Sequence, residues 1–298
     1  MTSHDAASDR PAQYVAGSDR PAQHDAGSDR PAQHDGSPAP TFATSIGISD
    51  PDTITVLGHD LAAELMGHVG FSELAMWLVT QERPTPGQVR VLDAVLVALA
   101  DHGFTPTAIT ARLTYLSAPD SVQGALAAGL LGGGSRFLGV TEDTALFLAQ
   151  ALAGQLEPAD DAGFDALALQ AVRQARAEHR FVPGLGHHLH KVTDPRTPVL
   201  IAIAAEEGLE GPHLRLFEAI GRVHPQVLGR TLPLNGAGTC GAALADLGLP
   251  PELLRGFALL ARTAGLLGHL AEERRRPIAM DIFQTVEQNA RYLEPGEA

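Results

Sequence analysis

Hydrophobic residues recur every three or four positions through most of the chain, which is the spacing of one face of an α-helix. Residues 86–99 give the clearest stripe, and Thr85-Pro86 before it combines an N-cap residue with proline at the first helical position. Thr105-Pro106 opens a second helix in the same way. Asp60 is expected to cap a helix that places Leu65, Met66 and Val69 on one face, and Asp120 precedes a helix of small residues. Further helices are predicted near 141–153, 162–179, 197–207, 211–229, 238–247, 252–271 and 279–291.

Strand patterning is confined to one short segment. Ile54 and Val56 alternate with threonines after an Asp50-Pro51-Asp52 turn, which predicts a short β ribbon near the start of the ordered region. No hydrophobic run alternates with helices in a βαβ rhythm, so a doubly wound sheet is not supported. The pattern predicts an all-α fold.

The first 40 residues differ from the rest. The hexapeptide Ser-Asp-Arg-Pro-Ala-Gln begins at Ser8, Ser18 and Ser28, a period of ten residues with almost no large apolar side chain. Such a segment cannot bury enough surface to offset its conformational entropy. We therefore expect residues 1–40 to be a disordered tail and order to begin near Thr41.

Composition indicates which binding partners and which cellular compartment are expected. The chain has 298 residues, 44% of them hydrophobic, with a net charge of −14 and one cysteine. This acidity argues against binding to nucleic acid or to an anionic membrane, because phosphate contacts need clustered Lys and Arg. No run of 18 apolar residues predicts a membrane span, no signal peptide is apparent, and a single cysteine cannot form an intramolecular disulfide. The expected location is the cytoplasm.

The segment GLGHHLHK at residues 184–191, followed by Asp194-Pro195-Arg196, concentrates candidate chemistry. Its two glycines let backbone amides approach a ligand, while three histidines, a lysine and an arginine lie within 13 residues. This predicts an anion site with acid/base capacity. A metal site at His188 and His190 is the alternative, but the sequence identifies no third ligand, so we expect no metal.

This segment resembles the citrate synthase pattern G-F-G-H-R-V-Y-K followed by D-P-R. Other matches occur in the family's order along residues 45–291: Ala100-Asp101-His102, Gly241, Leu247-Gly248-Leu249-Pro250, Ala261-Arg262-Thr263-Ala264-Gly265, His269, Glu272 and Arg276-Pro277. The resemblance implies a helical large domain at 41–137 plus 243–298 and a smaller inserted helical lid at 138–242. It also implies a homodimer that acts on small molecules, with a coenzyme A thioester as substrate and no permanently bound cofactor.

The resemblance assigns site residues individually. His102 and His187 would be catalytic and would face the oxaloacetate or citrate moiety, and His187 would take the hydroxyl proton in the cleavage direction. Arg196, Arg262 and Arg276 would hold carboxylates, Arg276 across the dimer interface. The CoA moiety would be bound by the backbone at Val182, Gly184, Leu185 and Gly186 and by Lys191.

Two departures from the citrate synthase pattern affect the expected reaction. Phe137 stands where citrate synthases have a histidine, and Gly-x-Arg-Phe-x-Gly at 134–139 instead resembles the citryl-CoA lyase module of ATP-citrate lyase. Ala237 stands at the position of the family's aspartate, which moves a proton at the acetyl carbon. The nearest downstream acid is Asp246, and no proton donor is assigned.

The expected activity is therefore cleavage of citryl-CoA, or of a close analogue, by a carbon–carbon lyase. The chain shows no grasp-type nucleotide domain, so its substrate would be a preformed thioester. Citrate or 2-methylcitrate synthase activity is the near alternative. A non-catalytic binder of CoA thioesters or citrate is an alternative from another class, favoured by Ala237.

Overall fold

The computed structural model describes residues 41–296, and the predicted tail at 1–40 lies outside these residues. The predicted β ribbon is confirmed: β1 (Gly47–Ser49), β2 (Ile54–Val56) and β3 (His59–Asp60) form an antiparallel sheet in that order. Asp50 closes the first turn, where its Oδ1 accepts hydrogen bonds from the backbone N–H groups of Asp52 and Thr53.

Helices make up most of the remainder, as predicted. They are α1 (Phe71–Thr80), α2 (Pro86–Ala100), α3 (Pro106–Ser117), α4 (Val122–Leu131), α5 (Val140–Leu152), α6 (Asp161–Ala177), α7 (Arg196–Glu206), α8 (Pro212–Leu228), α9 (Gly236–Asp246), α10 (Leu254–Arg275) and α11 (Ala279–Gln288). A 3₁₀ turn, Pro251–Leu253, precedes α10. The all-α prediction is confirmed.

Side-chain caps start several helices where the sequence predicts them. Thr85 forms a capping box with Gln88, and Thr105 accepts a hydrogen bond from the N–H of Ala108. Helix α4 is capped by Ser121, one residue after the predicted Asp120. These bonds satisfy N–H groups that have no partner inside a helix, which is why the local signals are accurate.

The prediction after Asp60 is correct in its cap and wrong in its helix. Asp60 accepts hydrogen bonds from the backbone N–H groups of Ala62 and Ala63, but the following segment is a single π-helical turn, Leu61–Leu65. Met66 is 65% exposed and does not join an apolar face.

Helix α1 has no counterpart among the predicted helices. Its apolar run packs against α2 through Met76, which is buried.

The main core surrounds α8 and α9. Helix α8 buries an apolar face that includes Phe217 and Ile220, and it packs against α6 and α9. Residues 236–245 of α9 are almost all buried, because Gly, Ala and Cys let neighbouring backbones approach closely. A Cβ at Gly241 would overlap the carbonyl group of Thr141 on α5.

A second, smaller cluster joins α3, α4 and α10 through Ala108, Ala111, Ala125, Leu266 and Leu270. Residues 45–296 belong to one compact unit. The division of this unit into a large domain and an inserted lid stays a prediction. Within residues 41–296, no helix combines the length and apolarity that crossing a bilayer requires.

Candidate functional site

A cleft of about 640 Å³ gathers most of the residues singled out in the sequence. Its walls come from the loop after α2, the start of α3, the turn before α5, the loop at 181–188 and the first residues of α7 and α9, with Arg262 from α10. The lining residues that were predicted to act are His102, Val182, Gly184, Leu185, Gly186, His187, Arg196 and Arg262. Phe137 and Ala237, the two departures from the family pattern, line the same cleft.

The loop at 184–187 is held against the segment before α9. The N–H of Gly186 donates to the carbonyl of Pro233 at 2.7 Å, and the side-chain amide of Asn235 donates to the carbonyl of Gly186 at 2.8 Å. Gly184 and Gly186 have φ values of +79° and +84°, which side-chain-bearing residues rarely adopt. A Cβ at Gly184 would also lie 2.6 Å from the ring of Phe217. Glycine is therefore required for this backbone to approach both the core and a ligand.

His187 is oriented by its own loop. Its Nδ1 accepts hydrogen bonds from the backbone N–H groups of Leu189 at 3.1 Å and His190 at 3.0 Å. Two donors directed at Nδ1 require a lone pair there, so the neutral ring carries its hydrogen on Nε2. Burial, followed by the nearby ring of His188, lowers the pKa of His187 to about 4. At neutral pH this side chain is an uncharged Nε2–H donor.

His102 faces this ring, with the two ring centroids 5.3 Å apart. Burial is the main reason that its pKa is lowered from the ordinary value, and the positive charge of Arg196 acts in the same direction. A hydrogen bond between the His102 ring and its own backbone opposes this shift. Two uncharged imidazoles therefore lie side by side, although 85 positions separate them in the sequence.

Arg196 is paired with Asp194, which is fully buried. Its Nε and Nη2 donate to the two carboxylate oxygens at 3.0 and 2.7 Å, and its Nη1 donates to the carbonyl of Ala98 at 3.2 Å. Burial raises the pKa of Asp194, but the bonds from Arg196 and from the N–H of Gly236 outweigh it, so the pKa is strongly lowered. Arg196 lines the cleft with its charge already compensated.

Arg262 differs in forming no ion pair among the described residues, although the negative charge of Asp101 partly opposes the effect of burial on its pKa. It is 5% exposed, and its Nη1 donates to the hydroxyl of Thr105 at 3.3 Å. Its Nε is buried without a hydrogen-bond partner, and no carboxylate from residues 41–296 forms an ion pair with it. Burial lowers the pKa of Arg262. A buried guanidinium with an unused donor at a cleft wall has the charge and geometry to pair with a carboxylate.

Two predicted binding residues lie outside the cleft lining. Lys191 is exposed, and its Nζ donates to the carbonyl of His187 at 3.1 Å. Arg276 is exposed at the C-terminal end of α10. The role of Arg276 across a dimer interface and the role of Lys191 at a CoA phosphate stay predictions.

The histidine cluster also bears on metal binding. Ring nitrogens of His102, His187 and His190 lie within 4.8 Å of one another, so three candidate ligands meet, but His188 of the predicted pair is not among them. The hydrogen bonds to Nδ1 of His187, however, place a hydrogen on the nitrogen that would have to bind the ion. The arrangement fits proton chemistry better than ligation, and the prediction of no metal is kept.

A network of hydrogen bonds and ion pairs extends from buried Arg112 to the residue next to His102. Arg112 on α3 is fully buried, and its Nη1 donates to Glu273 at 2.8 Å while Glu272 binds its Nη2. Nδ1 of His269 lies 2.9 Å from Nη2 of Arg112, and its Nε2 lies 2.8 Å from Oδ1 of Asp101, the residue before His102.

The resemblance had singled out His269 and Glu272 without a partner, and Arg112 was missed. A lone arginine among the small apolar residues of α3 was the available signal.

Comparison with known proteins agrees with this geometry. Residues 48–281 match the family described as citrate synthase, C-terminal domain. The structure of citryl-CoA lyase from Hydrogenobacter thermophilus superposes with a TM-score of 0.74 and 26% identity, covering 86% of this chain and 96% of that one. The ATP citrate lyase of Methanothrix soehngenii, solved with citrate and coenzyme A, superposes with a TM-score of 0.70 and 22% identity, covering 88% of this chain and 43% of that one.

Sequence relatives point the same way. The citrate synthase of Deinococcus radiodurans is 25% identical over 232 residues, which are 74% of this chain and 57% of that protein. The chain thus spans little more than half the length of the curated citrate synthases that it matches. The match to the family extends over most of the sequence and includes every helix that lines the cleft, so the chain belongs to the citrate synthase family.

Proposed function

We propose that this protein cleaves citryl-CoA, or a close 3-hydroxy-3-carboxyacyl-CoA, to acetyl-CoA and an oxoacid. The observation that carries the proposal is the unpaired, buried guanidinium of Arg262 in the same cleft as two uncharged histidines. A substrate carboxylate would form the ion pair with Arg262 that no described residue forms. The histidines then lie beside the hydroxyl-bearing carbon of such a substrate.

The two histidines take different parts in the proposed reaction. His187 donates from Nε2 to the substrate oxygen and stabilises it while the carbonyl forms. Because both of its ring nitrogens are then engaged, His187 does not take the hydroxyl proton, the role that the resemblance implied for it. The ring of His102 is uncharged and lies beside His187, and it accepts the hydroxyl proton on a ring nitrogen. As that proton leaves, the C–C bond breaks and its electron pair moves into the thioester enolate. The enolate carbon then takes up one proton, which completes acetyl-CoA.

The CoA moiety is proposed to lie along the backbone of residues 182–186, with Lys191 near a phosphate. The thioester is a substrate and not a resident cofactor. By resemblance we also propose a homodimer in which Arg276 completes the neighbouring site, and a cytoplasmic location. A closed cleft would keep both the enolate and the thioester from water.

The direction of cleavage is favoured over synthesis for two reasons. Phe137 lines the cleft at the position where citrate synthases carry a histidine. The fold is also similar along almost its whole described length to citryl-CoA lyase. Synthesis of citrate or 2-methylcitrate is the reverse of the same bond change, followed by thioester hydrolysis, and it stays the alternative within the family.

The test mixes purified protein with citryl-CoA and follows oxaloacetate through malate dehydrogenase and NADH. His187→Ala and Arg262→Met should each lower the rate at least about 100-fold, the range expected when an acid/base or charge-stabilising group is lost. His68→Asn, at an exposed histidine outside the cleft, is the control and should match the wild type. Cleavage that is equal in all four proteins would refute the assignment.

A binding protein without catalysis is the second candidate, because Ala237 places no proton-transferring group at its position in the cleft. It predicts that citryl-CoA binds and is recovered intact. Calorimetric titration with citryl-CoA in parallel with the rate assay separates the two candidates. Binding that depends on Arg262, without oxaloacetate release, would support the binding protein over the lyase.

A further inference from the structure

The start of α9 leaves the proposed reaction without a proton donor. Ala237 lies in the cleft, and its neighbours Gly236 and Gly238 are equally unable to transfer a proton. Asp246, at the other end of α9, has its carboxylate occupied by hydrogen bonds to the start of α8. Its carboxylate accepts hydrogen bonds from the N–H groups of Gly211 and Leu214 and therefore holds the start of α8. The donor has to come from another element.

Asp143 is the single carboxylate among the described residues that line the cleft. It belongs to the first turn of α5 and follows Glu142, whose side chain does not line the cleft. Asp194, the other nearby acid, is fully buried and bonded on both oxygens to Arg196 and Gly236. Asp143 is thus placed to meet a ligand where Asp194 is not.

The first turns of α5 and α9 lie close together around Gly184. A Cβ at Gly184 would lie 3.1 Å from the hydroxyl of Thr144, and a Cβ at Gly238 would lie 2.6 Å from the Cα of Gly184. Thr144 and Gly238 are the sequence neighbours of Asp143 and Ala237. The backbone of Asp143 on α5 therefore lies near that of Ala237, the position at which the family has its aspartate.

The Asp143 side chain is only loosely held. Its Oδ1 lies 3.5 Å from Nη2 of Arg255, whereas the Nε of Arg255 lies 3.2 Å from Glu142. Among the residues that the structure describes, none donates a hydrogen bond to the Asp143 carboxylate. Its Oδ2 stays available to a ligand, and the Arg255 cation near Oδ1 keeps the group in place.

From this placement we infer that Asp143 transfers the proton at the acetyl carbon, in the role for which Ala237 is unsuited. The inference rests on the proposed function. In the cleavage direction the carboxylic acid of Asp143 gives its proton to the enolate carbon, which yields the acetyl methyl group and the carboxylate. The carboxylate regains a proton through solvent, which balances the proton taken from the substrate hydroxyl. In the opposite direction, the carboxylate removes a methyl proton.

The test follows this proton directly. Acetyl-CoA is incubated in D₂O with malate, a dicarboxylate that resembles the oxoacid but cannot condense, and loss of methyl protons is followed by NMR. Citryl-CoA cleavage is measured in parallel. Asp143→Asn should slow both by at least about 100-fold through kcat with little change in KM. Glu142→Gln, which alters the carboxylate of the same turn that shares Arg255, is the matched control and should stay within about threefold of the wild type.

A second variant distinguishes the possible outcomes. Ala237→Asp in the Asp143→Asn background should restore exchange, because it returns a carboxylate to the other helix. If Asp143→Asn matches the wild type, the inference is wrong and the lyase proposal stands.

If the wild type is inactive and Ala237→Asp alone gains both activities, Asp143 performs no transfer. If neither the wild type nor Ala237→Asp catalyses proton exchange or citryl-CoA cleavage, both the role of Asp143 and the proposed lyase function are wrong.

Discussion

Gly265 on α10 tests whether the cleft depends on close approach between helices. The carbonyl group of Ala100, the last residue of α2, lies directly against this glycine. A Cβ at Gly265 would overlap the carbonyl oxygen of Ala100 and lie 2.9 Å from its carbonyl carbon. His102 follows Ala100 by two residues, so Gly265→Ala pushes on the backbone that carries a proposed catalytic side chain.

The magnitude follows from two opposing effects. The Ala100 oxygen would lie 1.9 Å from the new Cβ, whereas carbon and oxygen atoms in contact normally lie about 3.3–3.6 Å apart, so α2 and α10 have to separate by about 1.4–1.7 Å. Overpacking of this kind costs about 1–3 kcal/mol, whereas replacing glycine by alanine inside a helix gains about 1 kcal/mol. Gly268, three residues later on α10, has no atom within 4 Å of its would-be Cβ. Gly268→Ala therefore receives the gain without the cost.

The difference between the two variants isolates the steric cost. Urea unfolding followed by circular dichroism should give Gly265→Ala a free energy of unfolding about 1–3 kcal/mol below that of Gly268→Ala, with equal slopes. The upper part of this range is expected, because the obstructing atoms belong to the backbone and cannot change rotamer. Equal stability of the two variants, within about 0.5 kcal/mol, would refute the reasoning.

Three further predictions concern buried or titratable groups. Arg112→Met leaves Glu273 buried without its cation and should lower the free energy of unfolding by about 3–5 kcal/mol in urea denaturation; a loss under about 1 kcal/mol would contradict this. Because the pKa of His187 is about 4, its ring stays neutral as the pH falls from about 8 to 5, and kcat/KM for citryl-CoA should show no inflection near 6.5 that depends on His187. An inflection there that His187→Gln removes would count against the lowered pKa of His187. Burial raises the pKa of the Cys240 thiol to about 12, so a disulfide reagent should label the native protein only at its unfolding rate, and labelling at the rate of a free thiol would disprove the burial.

Arg262 and Arg196 are expected to contribute differently to the affinity for a ligand. Arg262 can accept a carboxylate without losing an existing partner, whereas Arg196 would have to give up a bond to Ala98 or share Asp194. We therefore expect Arg262 to contribute more to the affinity for a dicarboxylate than Arg196. The bidentate pair of Arg196 and Asp194 instead holds the start of α7 against the first amide of α9.

Local features of the fold were readable from the chain alone. The caps at Thr85 and Thr105, the ribbon around Ile54 and most helix positions follow from interactions within a few residues, which a single stretch of sequence contains in full. The motif at 184–191 was also recognisable, because its glycines and histidines are consecutive. The turn after Asp60 shows the limit of this information, since one cap does not determine how far a helix continues.

Contacts between distant segments depended on folding. The partner of Arg112 is 161 positions away, and nothing in the period of α3 indicates which side chain will meet it. The tautomer of His187 follows from two amides placed by the loop's curvature, and Asp143 reaches the cleft because glycines let α5 and α9 approach each other. Hydrophobic periodicity records which face of a helix is buried. It does not record what that face meets, because the meeting point depends on how all the helices pack together.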